Sequence, residues 1–210
     1  LFSFKGIKSL IKKFGYCDSI YLKNYLDDLI YYKTGIKNIT FLELYKYSNI
    51  HLKIGVCSLK DKDFKYIDHL TYPDMPVSIG LTASSSIPFI FSSVEWEGDL
   101  FIDGGLVGNL PITAFPEQKS LAFNLINNND FLNKNKKKPK NIFIFIKNIL
   151  LILLRNSQKF YSSENNCIKN VDYIQIFTGN VTVLERNLGE DTINVLIDHG
   201  YKAVEHFLNQ

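Results

Sequence analysis

Residues 81–111 read LTASSSIPFIFSSVEWEGDLFIDGGLVGNLP. The segment Val77 to Ser86 is small and helix-compatible, and Pro88 stops the helix because the residue before a proline avoids the α region. Phe89 to Val94 and Leu100 to Ile102 read as short strands, with the Glu97-Gly98-Asp99 turn between them. Asp103 then ends a strand, which is where α/β sheets tend to place their ligands. Gly104 and Gly105 leave the backbone free to turn with positive φ and remove side chains, so another group can approach the carboxylate. Asp-Gly is also an ordinary turn dipeptide, and these three residues alone favour a tight turn. Pro111 suits the first position of a following helix, where its missing N–H is not needed.

Outward from this segment, helical and extended patterns alternate. Phe2 to Tyr32 has helical spacing, with Leu22, Leu26, Leu29 and Ile30 three to four apart, until Thr34-Gly35 breaks it. Thr40 and Glu43 form a capping box for a short helix. His51 to Ser58 reads as a strand in which Leu52, Ile54 and Val56 alternate with Lys53 and Gly55. Lys60 to Asp68 is a charged connection or exposed edge, and Pro73 and Pro76 bracket a turn. Downstream, Ser120 to Ile126 and Val171 to Phe177 read as strands, and Ile142 to Leu154 and Asp191 to Leu208 as helices. Asn127 to Lys140 is a polar, low-complexity loop. The alternation predicts an α/β layered fold.

Of 210 residues, 46% are apolar and 14% aromatic, enough for a sizeable core. One domain, or most of one, is expected over 1–210. The first residue is Leu1, not Met, which predicts a fragment whose domain begins before Leu1. A net charge of +3 gives no whole-chain case for nucleic-acid binding. Cys17, Cys57 and Cys167 are scattered and odd in number, which favours a reduced, intracellular protein, cytoplasmic or peripheral to membranes. Asn38 and Asn180 match the glycosylation sequon, a match common by chance. Asp61 and Asp63 lack the glycine and terminal Glu of a calcium loop. No metal or nucleotide motif occurs, so no cofactor or metal is expected. The apolar run Ile142 to Leu154 is too short to span about 30 Å of hydrocarbon.

The run A-S-S-S-I-P-F-I-F, the hairpin, and D-G-G-L-V-G-N-L-P resemble the signature of the patatin-like phospholipase family. T-F-x-E-L at Thr40 to Leu44, the strand at His51 and the closing helix with H-G-Y-K-A are similar in order and spacing. The resemblance covers nearly the whole chain. It implies an N-terminally truncated patatin-like α/β/α sandwich and a serine–aspartate dyad acting on acyl lipids such as glycerophospholipids. The family's serine lies in a G-x-S-x-G elbow behind a glycine-rich oxyanion loop. By position Asp103 is the aspartate, with Gly104, Gly105, Asn109 and Pro111 shaping the loop around it.

An Asp of ordinary pKa, about 3.9, is a weak base at neutral pH. Partial desolvation beside a neutral hydroxyl would raise it, and no histidine is then required. His51, His69, His199 and His206 sit in no motif of their own. Two departures stand out. Gly108 occupies the place where the family commonly has an asparagine, and the sequence contains no G-x-S-x-G, so no nucleophile is assigned. Ser84, Ser85 and Ser86 lie on the helix before Pro88 and are not substitutes. The 210 residues alone are therefore expected to be inactive.

Three readings follow. The first is a serine-type lipid acyl hydrolase as the complete protein. The second is an inactive lipid-binding or regulatory relative, and the third an unrelated α/β domain with a chance Asp-Gly-Gly turn. Lys134, Lys136, Lys137, Lys138 and Lys140 offer contact with an anionic lipid surface or simply a solvated loop. Phe89, Phe91 and Trp96 suit an acyl-chain pocket or, more simply, core packing. Oligomeric state is not legible.

Overall fold

The computed structural model describes residues 4–126, 138–163, 170–179, 181 and 187–209. They fall into two compact units. One holds residues 1–114 with 146–163, the other 115–145 with 164–210. The fold is mixed α/β, as the alternating pattern predicts.

The first unit opens with α1 (Phe4–Lys13), β1 (Gly15–Cys17) and α2 (Ile20–Thr34). The single helical pattern expected from Phe2 to Tyr32 is thus broken by a strand. β1 pairs in parallel with β4 (Phe89–Phe91), Gly15 opposite Phe89 and Cys17 opposite Phe91. A Cβ on Gly15 would lie 2.1 Å from the Phe91 carbonyl, so only glycine permits this approach. Pairing between distant segments outweighs the local helical period here. Gly35, at φ 72°, closes α2 by donating its N–H to the Tyr31 carbonyl.

Thr40 caps α3 (Phe41–Ser48) as expected. Its hydroxyl accepts from the Glu43 N–H at 3.2 Å, and the Glu43 carboxylate accepts from the Thr40 N–H at 2.9 Å. The strand expected from His51 begins at Ile54, giving β2 (Ile54–Ser58). Residues 60–68 supply β3 (Asp63–Ile67), which pairs antiparallel with β2 and forms an edge of a four-stranded sheet. β5 (Val94–Trp96) and β6 (Asp99–Asp103) form its hairpin. Glu97 and Gly98, at φ 49° and 74°, make the two-residue turn whose twist suits flanking strands. The strand expected over Phe89 to Val94 is therefore two, with β4 on β1 and β5 on β6.

α4 (Val77–Ser84) lies against β2 and β6 on one side and α2 on the other. Ile39, Phe41, Ile54, Val56, Ile67, Met75, Val77, Ala83 and Phe101 form the buried core. The Tyr72 ring meets Phe101 edge-on at 5.7 Å. Trp96 packs against this core and Phe91 is half-buried, while Phe89 is 49% exposed.

No helix follows Pro111. A single turn closes with the Ala114 N–H on the Pro111 carbonyl at 3.1 Å, burying Ile112 and Ala114. Pro116 disfavours the α conformation at Phe115, which explains why the turn does not propagate.

The second unit contains β7 (Ser120–Ile126) and β8 (Val171–Phe177), paired in parallel with no slip, and α6 (Glu190–Leu208) against β8. α5 (Ile142–Ser163) runs further than its apolar pattern, and its residues from Ile146 onward belong to the first unit. Among the described residues no helix is long and apolar enough to cross a membrane. Lys134, Lys136, Lys137, Cys167 and Asn180 lie outside the described residues, while Lys138 and Lys140 are exposed.

Candidate active site

Asp103 is the last residue of β6 and stands opposite Val56 of β2. Its N–H donates to the Ser86 carbonyl at 3.0 Å, which ties the strand end to the turn after α4. The Ala-Ser-rich run therefore matters as a backbone anchor for the strand that carries the carboxylate.

Beyond Asp103 the chain enters one 3₁₀ turn, Gly104–Leu106. Neither glycine adopts positive φ, contrary to expectation. The constraint is contact. A Cβ on Gly104 would lie 2.5 Å from the Gly55 carbonyl oxygen and 2.8 Å from the Val56 nitrogen. Gly104 thus lets the turn lie directly on β2. Gly105 donates its N–H to Asp103 Oδ1 at 2.7 Å, and a Cβ there would crowd Asp103 Oδ1 and Asn109 Oδ1 at 3.1 Å each.

The carboxylate is half-buried. Burial pushes its pKa above the ordinary value, and the Gly105 hydrogen bond opposes this only in part. Among the described residues the other carboxylate oxygen has no hydrogen-bond partner. Such a group can take a proton from a hydroxyl placed beside it.

The loop that follows is held by a residue the sequence did not flag. Ser157 of α5, 6% exposed, accepts from the Asn109 N–H at 3.1 Å and donates to the Val107 carbonyl at 2.9 Å. These contacts span 48 and 50 positions, so no local pattern signals them. Gly108 also finds its explanation. Phe64 of β3 occupies the space a side chain would need, with a Cβ on Gly108 only 2.8 Å from the ring. Asn109 thus joins the site by its backbone and by proximity to Gly105. Pro111 is exposed and opens the short turn already described.

The other nucleophile types in this neighbourhood are committed elsewhere. Ser84 donates to the Gly55 carbonyl, Ser85 to Leu81 and Ser86 to Thr82. Ser58 and Asp99 do make a serine–aspartate hydrogen bond, 2.5 Å, but at 1% and 7% exposure it is sealed from substrate. The Ser58 hydroxyl also accepts the Asp61 N–H, so the pair fixes the β2–β3 turn. Burial, helped by the Asp103 and Asp63 charges, pushes the Cys57 thiol up to about 11, so it stays protonated and poorly nucleophilic at neutral pH. His51 bonds Asp68 at 3.0 Å, His69 stacks on Tyr45, and His199 bonds the Phe177 carbonyl. Asp61 pairs with Lys65.

A model of the patatin-like phospholipase family matches residues 2–116, which include the whole Asp103 turn. Over 208 residues the chain is 27% identical to an uncharacterized protein of Acanthamoeba polyphaga mimivirus, covering 97% of this chain and 68% of that protein. Over 132 residues it is 26% identical to a probable lipid hydrolase of Invertebrate iridescent virus 6, covering 61% of this chain and 40% of that one.

Proposed function

Because this chain belongs to the patatin-like phospholipase family, we propose that the complete protein is a lipid acyl hydrolase in which Asp103 is the base of a serine–aspartate dyad. The serine lies outside these 210 residues. One observation carries the reading: a half-buried carboxylate at a strand end, raised by burial, with one oxygen tied to Gly105 and the other unpartnered among the described residues. The naming of the iridescent-virus relative as a probable lipid hydrolase points the same way.

In this mechanism the serine oxygen attacks the ester carbonyl while Asp103 takes the hydroxyl proton. The proton passes to the departing alcohol, leaving an acyl-enzyme. Asp103 then removes a proton from water as its oxygen attacks the acyl group, and that proton passes to the departing serine oxygen, releasing the fatty acid and restoring serine and carboxylate. A raised carboxylate is better matched to both proton transfers at neutral pH than an ordinary one. Gly105 holds one oxygen still, so the carboxylate is oriented before substrate arrives.

The test is Asp103→Asn in the complete protein, assayed on a phospholipid and on a soluble chromogenic ester. Turnover should fall by about 10²–10⁴-fold, with the thermal unfolding midpoint no lower than wild type. Retained turnover removes Asp103 from the chemistry. The 210-residue chain alone should release no acyl burst, since Ser58, Ser84, Ser85 and Ser86 are committed and Cys57 is protonated.

A further inference from the structure

We propose that Ser84 is a positioning residue for the Asp103 carboxylate, holding the strand on which the Asp103 turn rests. The assignment rests on Asp103 being the base, as proposed above. Ser84 is the last residue of α4. It opens a run of three serines whose hydroxyls go different ways. Ser85 donates to the Leu81 carbonyl at 3.0 Å and Ser86 to the Thr82 carbonyl at 2.7 Å, each four residues back in the chain. That is the ordinary local bond of a serine on a helix. Ser84 forgoes it. Its hydroxyl donates instead to the Gly55 carbonyl of β2 at 2.8 Å, 29 positions away.

The acceptor gives this bond its consequence. The pairing of β2 with β6 runs from Ser58–Phe101 to Val56–Asp103 and stops there. Gly55 is the next residue of β2, and beyond Asp103 the other strand has already turned into the 3₁₀ segment. A half-buried carbonyl past the end of its ladder needs another donor, and Ser84 supplies one. The same oxygen lies under Gly104, 2.5 Å from where a Cβ there would stand. Ser84 therefore holds the atom on which the turn after Asp103 sits.

Two residues on, the Ser86 carbonyl accepts the Asp103 N–H at 3.0 Å. One helix end thus grips both strands where they part, β2 through Ser84 and β6 through Ser86. Phe64 adds a third contact. Its ring fills the places of side chains at Gly55 and Gly108, 2.7 and 2.8 Å from where each Cβ would lie. With the Ser84 hydroxyl on its carbonyl and the Phe64 ring beside its α-carbon, Gly55 has little room to shift. Without the hydroxyl, β2 can recede from Gly104 and carry the carboxylate out of line. Misplacement of a reacting group by about 1 Å costs on the order of 10²-fold in rate.

The experiment is a double-mutant cycle on the complete protein, read as turnover of a soluble chromogenic ester. Ser84→Ala should lower kcat by about tenfold to a hundredfold and leave KM unchanged, because no substrate contact is removed. Ser84→Thr keeps the hydroxyl and should restore most of the rate. Ser85→Ala deletes a hydroxyl that bonds only its own helix and should turn over like wild type. In the Asp103→Asn background, Ser84→Ala should cause no further fall, since the carboxylate it positions is gone. A variant that merely lost folded protein would fall by the same factor in both backgrounds. Trp96 emission checks that each variant is folded.

Ser84→Ala at the wild-type rate overturns the proposal. So does an equal fall in both backgrounds, or Ser84→Thr as slow as Ser84→Ala. Full turnover by Asp103→Asn is a separate result: it removes the base, and the positioning role with it. A crippled Asp103→Asn beside an unimpaired Ser84→Ala leaves the base in place and sinks the role of Ser84 alone.

Discussion

Asp103 shows how a carboxylate is tuned by what surrounds it more than by what touches it. Burial raises it, and one backbone N–H recovers part of the shift. Its stability linkage has a definite sign. A carboxyl raised on folding contributes stability below its ordinary value of 3.8 that is lost as pH rises through the folded value. Asp103→Asn cannot ionise, so the variant should gain on wild type in thermal stability above that window and match it in acid. The activity of the complete protein should fall on its acid limb at a pH above the ordinary carboxylate range. Gly104 is the other decisive residue. Gly104→Ala places a methyl 2.5 Å from the Gly55 carbonyl oxygen, and backbone must move to admit it. We expect a loss of about 1–3 kcal/mol in urea denaturation; unchanged stability would show that β2 yields freely.

At the scale of elements, the site is an assembly of ends. β6 delivers the carboxylate, the turn after α4 anchors its N–H through Ser86, β2 lies under Gly104, and α5 pins the following loop through Ser157. Ser157 serves two backbone groups at once, Asn109 N–H and Val107 carbonyl. Ser157→Ala would leave both without that partner, at a cost of about 1–3 kcal/mol. Hydrogen exchange at the Asn109 amide should speed up, and an unchanged exchange rate would show that water replaces the hydroxyl. The capping box at Thr40 contrasts with this. Its partners are three residues apart, so they are visible in the sequence.

For the whole molecule, the first unit contains both the candidate site and the main core cluster. Phe101, fully buried, stands two positions before Asp103 on the same strand. Phe101→Ala should cost about 3–5 kcal/mol. The single tryptophan, Trp96, packs against the same core and reports the event. Its emission midpoint in urea should fall; no shift would mean the cavity collapses around the missing ring.

Local and periodic features are legible from the residues alone. The capping box, the strand cores of β2, β7 and β8, the helix ended near Pro88, the Glu97-Gly98 hairpin and Asp103 at a strand end all rest on short-range spacing or turn chemistry. So does the family, whose motif is contiguous from Ala83 to Pro111. Where distant segments meet is set by packing in three dimensions. Gly15 leaves a helical pattern because it fits against Phe91, and Gly108 has no side chain because Phe64 fills its place. Gly104 is required by contact with β2, not by its own φ, and Ser157 reaches the loop across 48 residues. Periodicity records which face of an element is apolar. It carries no record of which backbone will approach that face, and close approach is what shapes this site.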